Sequence, residues 1–63
     1  MKIFLYCTYN DLFFTGDGFT NDFMNCMFFS GASIALAQLN NFLDVNTDFD
    51  ISDFVLYVKC EVY

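Results

Sequence analysis

The chain has no histidine, arginine, tryptophan or proline, and its only basic side chains are Lys2 and Lys59. Without histidine, no side chain has an ordinary pKa suited to acid–base work or nucleophile activation near neutral pH. Zinc-type centres built on cysteine and histidine lack their ligands. Two lysines face eight acidic residues, for a net charge of −6 over 63 residues. No basic patch is available to neutralise phosphates, so direct nucleic-acid binding is not expected. The three cysteines, Cys7, Cys26 and Cys60, are odd in number and widely spaced, with no C-x-x-C pair. They read as small core residues in a reducing compartment rather than as a disulfide framework. The apolar run 3–7 behind a single lysine is too short for a signal-peptide core, and a cytoplasmic protein is expected. Gly16-x-Gly18 is too short for a phosphate loop and no Lys-Ser/Thr follows it. These absences together point away from an enzyme and from any cofactor or metal.

What is present is apolar. The chain is 57% hydrophobic and 22% aromatic, with ten phenylalanines. At this length the expectation is one domain over residues 1–63. Apolar burial and conformational entropy nearly cancel at such a size, so a lone monomer is marginal and association would relieve it.

Residues 2–9 (KIFLYCTY) are β-branched and aromatic and read as a strand. Alternation puts Ile3, Leu5, Cys7 and Tyr9 on one face, and Lys2, Phe4, Tyr6 and Thr8 on the other. Asn10-Asp11 begins a turn, 12–14 offers a short continuation of the strand, and Thr15-Gly16-Asp17-Gly18 carries the strongest turn chemistry in the chain. Residues 23–29 (FMNCMFF) are expected as a second strand in a hairpin with the first, because the run is short, aromatic and closed by Ser30-Gly31. A helix is expected over 32–43, capped by Ser30 or Ser33, with Ala32, Ala35, Leu36, Leu39 and Leu43 inward and Gln38, Asn40 and Asn41 turned away. After an acidic connection over 44–53, residues 54–63 alternate as a last strand. Phe54, Leu56, Val58, Cys60 and Val62 take one face, and Val55, Tyr57, Lys59, Glu61 and Tyr63 the other. The expected fold is α+β: a β-β-α-β unit whose three-stranded, mainly antiparallel sheet carries one helix on one face.

One helix covers one face. Phe4, Tyr6, Val55, Tyr57 and Tyr63 are left on the other, where a soluble monomer is normally polar. Such a patch marks an interface, either a homodimer seam or a partner surface. The alternative is cover from within the chain, for which Phe13, Phe14, Phe19 and Phe23 supply enough rings.

The acidic residues fall in two groups, Asp11, Asp17 and Asp22, and Asp44, Asp48, Asp50 and Asp53. From Asp44 the second group partly follows a calcium-loop spacing, but Phe49 replaces the turn glycine and Val55 the closing glutamate, so calcium is not expected. Residues 22–44 hold no charge between their ends, yet Asn25, Ser30, Gln38, Asn40 and Asn41 interrupt them and the flanks are acidic, so no membrane span is expected. Spaced aspartates on turns instead suit a basic protein surface with a fast, salt-sensitive encounter. The overall profile is similar to that of small phage-encoded inhibitors, including anti-CRISPR proteins and DNA-mimic inhibitors. The likeness is compositional and carries over no individual residue. It implies a non-enzymatic inhibitor that docks on a basic, nucleic-acid-binding protein and blocks it sterically. The competing expectation is a homo-oligomeric structural protein pairing through its aromatic sheet face.

Overall fold

The computed structural model describes residues 2–59. Strand β1 (Lys2–Cys7) runs into a turn and returns as β2 (Leu12–Phe14), which turns again into β3 (Phe19–Thr20). A 3-10 turn at Phe23–Asn25 leads to helix α1 (Ala32–Val45), a second 3-10 turn at Ile51–Asp53, and strand β4 (Phe54–Lys59). The sheet is antiparallel throughout, with order β3-β2-β1-β4. The α+β class is as expected, but the sheet has four strands, not three.

The difference lies in residues 8–29. β1 ends at Cys7, so Tyr9 is not on the inner face; it sits in a turn and is 71% exposed. That turn closes through an Asp11 N–H bond to the Cys7 carbonyl (2.9 Å) and a Leu12 N–H bond to Asn10 Oδ1 (3.2 Å). Asp11 adopts φ 61°, a conformation aspartate tolerates better than most residues. Hence 12–14 is a returning strand rather than an extension of β1. The glycine turn forms as read: Thr15 N–H bonds the Gly18 carbonyl at 2.9 Å, and Gly16 takes φ 100°.

Residues 23–29 do not form the expected strand. Asp22 accepts from Met24 N–H at 3.0 Å and so caps a 3-10 turn where the strand would begin. Phe29 alone keeps the anticipated pairing, exchanging two backbone bonds with Ile3 (3.0 and 2.7 Å) beyond the end of β2. The local turn chemistry of Asp22 and Asn25 overrides the aromatic strand propensity.

The helix runs two residues past the expected end. Its N-cap is Gly31, with no side-chain cap, rather than either serine. Its buried stripe is Ala35, Leu39 and Phe42; Ala32 and Leu36 are exposed, and Leu43 is half-buried. The i, i+4, i+7 spacing of that stripe sets it against Ile3, Leu5, Phe14 and Phe29, with Phe19, Phe49, Phe54 and Leu56 around the rim. Cys7 and Cys26 are buried free thiols. Cys60 lies outside the described residues.

Candidate functional site

Register fixes which loops meet. Cys7 opposes Phe54, and the Thr8 N–H and hydroxyl both donate to the Asp53 carbonyl (2.7 and 3.0 Å). The turn carrying Asp11 therefore adjoins the one carrying Asp50 and Asp53, and Tyr9 meets Phe49 ring to ring at 5.6 Å. Helix α1 touches both β1 and the 3-10 turn at Ile51–Asp53, and it carries Asp44 in its last turn, with Asp48 in the loop that follows. Asp11, Asp50 and Asp53 thus gather at one end, and Asp48 joins them through its neighbour Phe49. At the other end Lys2 and Lys59 stand opposite each other across β1 and β4. Like charges so placed repel. Each ammonium lies 5.3 Å from a ring centroid, Lys2 over Phe28 and Lys59 over Phe23, which offsets part of that cost. The described chain is electrically polarised along its strands. Asp22 stands apart on the first 3-10 turn, whereas Asp17, on the glycine turn, lines one groove with Val45 and Asn46 at the end of α1.

The seven aspartates differ in what holds them. Asp17 accepts from the Thr15 hydroxyl (3.1 Å), and Asp22 accepts from Met24 N–H and from the Asn25 amide (2.9 Å). Asp50 and Asp53 form a reciprocal capping box: Asp50 accepts from Ser52 N–H (3.2 Å) and Oγ (2.6 Å), and Asp53 Oδ2 accepts from Asp50 N–H (3.0 Å). The Ser52 hydroxyl and N–H bonds hold the Asp50 carboxyl below its ordinary range. Among the described residues the side chains of Asp11, Asp44 and Asp48 make no hydrogen bond or ion pair. Asp44 also lies in the last turn of α1, which has no basic residue, so its charge opposes the helix dipole. The loss is about 0.3–1 kcal/mol for an exposed site.

The second face of the sheet is not bare. Phe4 sits at its centre, stacked on Tyr57 (5.3 Å, 16°) and met edge-on by Phe13 (5.9 Å), Phe23 (4.9 Å) and Phe28 (6.1 Å). Tyr6 packs on Phe13 at 5.6 Å. Phe4 and Tyr6 are therefore half-buried, under rings brought over by the segment behind Asp22. Of the four rings anticipated as internal cover, Phe13 and Phe23 are on this face, whereas Phe14 and Phe19 lie in the helix-side core. Phe28, not anticipated, completes the cover. Val55 and Tyr57, on β4, remain 38% and 46% exposed. Tyr63 lies outside the described residues.

An open groove of about 370 Å³ lies between the glycine turn and α1, lined by Gly16, Asp17, Gln38, Asn41, Phe42 and Val45 among others. Gln38, expected to point away, donates to the Gly16 carbonyl at 3.0 Å and ties the turn to the helix. Burial pushes the Cys26 thiol up, and the nearby charge of Asp22 adds to this, so it remains a thiol at neutral pH rather than a nucleophilic thiolate. Among the described residues no three side chains of the His, Cys, Asp and Glu set gather where a metal ion could be held. Phe49, at the glycine position of the partial calcium spacing, packs against Phe19, Phe42 and Phe54. No described helix is long and apolar enough to cross a membrane. No family model, curated protein or solved structure matches the chain.

Proposed function

We propose that the chain is a non-enzymatic inhibitor, of the kind phages encode, that binds a basic, nucleic-acid-handling protein through its acidic end and blocks it sterically. The observation that carries this reading is the placement of Asp11, Asp44 and Asp48. Asp11 and Asp48 lie at the end opposite both lysines, none of the three carboxylates makes a hydrogen bond or ion pair among the described residues, and Asp44 costs the helix stability. Charges that do not serve the fold suit steering and docking on a positive groove. Asp50 and Asp53 add to the field from a rigid capping box, and the aromatic face, covered by its own chain, is the lesser contact surface.

A tagged pull-down from lysate of the source organism or its host, at low and high salt, tests this. The expected result is stoichiometric retention of a basic nucleic-acid-binding protein that salt releases. Recovery of the bait alone, or of a partner indifferent to salt, contradicts it.

A further inference from the structure

Strand β4 is the last in the order β3-β2-β1-β4, so one of its edges has no neighbour among the described residues. The hydrogen bonds on either side of β1 show which groups that edge presents. Ile3 spends its N–H and carbonyl on Phe29, on the side of β1 away from β4, whereas Thr8 donates to the Asp53 carbonyl on the β4 side. With Ile3 opposite Val58 and Phe4 opposite Tyr57, Val55, Tyr57 and Lys59 bond inward to β1. Phe54, Leu56 and Val58 turn their backbone groups outward. The Phe54 N–H is returned to the Ile51 carbonyl, leaving its carbonyl and both groups of Leu56 and Val58 at the edge.

This edge lacks most of the features that keep strands from pairing. It has no proline and no bulge, it is six residues long, and Val55, Tyr57 and Val58 (49%) are exposed along it. We infer that β4 pairs antiparallel with β4 of a second copy about a two-fold axis at Leu56, joining the two sheets edge to edge. Hydrogen bonding by the outward groups fixes the phase, and the longest overlap sets Leu56 against Leu56, Phe54 against Val58 and Val55 against Tyr57. Side chains that face the helix then continue on one surface and the others on the opposite one. The same register puts Lys59 of each copy against Asp53 of the other. Asp53 holds its own capping bond through Oδ2, which leaves Oδ1 for that cation. Charge favours a second copy as the occupant. The strand is acidic at its start and basic at its end, so antiparallel self-pairing sets unlike charges together at both ends, while parallel pairing would oppose like charges.

Sedimentation and backbone amide exchange on the intact chain, over a range of concentrations, test the inference together. The expected result is a monomer–dimer equilibrium in which the Leu56 and Val58 amides become protected as dimer forms, while the Tyr57 amide is protected throughout. Val58→Pro removes an outward donor and no bond to β1, and should raise the dissociation constant about tenfold or more while the circular dichroism stays that of the wild type. Should that variant not fold, Lys59→Glu, an exposed change, should weaken the dimer in the same assay. A chain that stays monomeric at the highest concentration overturns the proposal. So does a dimer whose Leu56 and Val58 amides remain unprotected, or an edge that pairs only with an added extended peptide.

Discussion

The two faces of the sheet are both rich in phenylalanine but are closed in different ways. On one, Ile3, Leu5, Cys7 and Phe14 are almost wholly buried beneath the stripe Ala35, Leu39 and Phe42 of a regular helix. On the other, Phe4, Tyr6, Phe13, Phe23 and Phe28 are half-buried and cover one another edge to face, with a 3-10 turn in place of a helix. A helix brings backbone hydrogen bonds that satisfy themselves and can exclude water from a continuous stripe. An irregular segment cannot, and here it uses ring edges and two lysine stems to cover what it reaches. The excess of aromatic residues over the needs of one core is thus largely explained by a second, shallower cluster.

The sharpest way to break this comparison is truncation on the two sides. Phe14→Ala, at a fully buried position touching Phe19, Phe42 and Phe54, should cost about 3–5 kcal/mol and leave so small a domain largely unfolded by calorimetry. Phe23→Ala on the ring-covered face should cost about 1–2 kcal/mol, since its ring is half-exposed in the native state. That variant should remain folded and bind a hydrophobic dye more strongly than the wild type, because Phe4, Phe13 and Phe28 lose cover. Equal losses from the two changes would show that the faces are equally sealed. Smaller still is a pH effect at neither face. Hydrogen bonds from Ser52 lower the folded-state pKa of Asp50, so its stabilisation is fully present above the unfolded aspartate value of about 3.9 and is lost as pH falls through the lower folded value. The difference in Tm between the wild type and Asp50→Ala should therefore be present near neutral pH and shrink in acid.

The faces also differ in how much of them could be read from the sequence. Ile3, Leu5 and Cys7 of β1, Phe54 and Leu56 of β4, the glycine turn and the helix were legible because each follows a simple period or a turn residue with a stated geometry, whereas Tyr9 and Val58, expected inward, are exposed. Residues 8–29 were not. Strands of three and two residues are too short to show alternation, and the run 23–29 carries strand-like composition with a capping aspartate just before it. Phe42 was missed because the stripe was traced through Leu36 rather than through the i+3 step from Leu39. The acidic residues could be listed from the sequence but not sorted. Only the hydrogen bonds separate Asp17, Asp22, Asp50 and Asp53, whose carboxylates hold turns, from Asp11, Asp44 and Asp48, whose carboxylates do not.

The carboxylates that hold no turn can be changed without touching those that do. In the combined variant Asp11→Asn, Asp44→Lys and Asp48→Lys, every capping bond is left in place and the helix end gains a favourable charge. Thermal melts paired with the salt-dependent pull-down would read both consequences. The Tm should equal or exceed that of the wild type while the basic partner is lost. A folded variant that still captures that partner would contradict it.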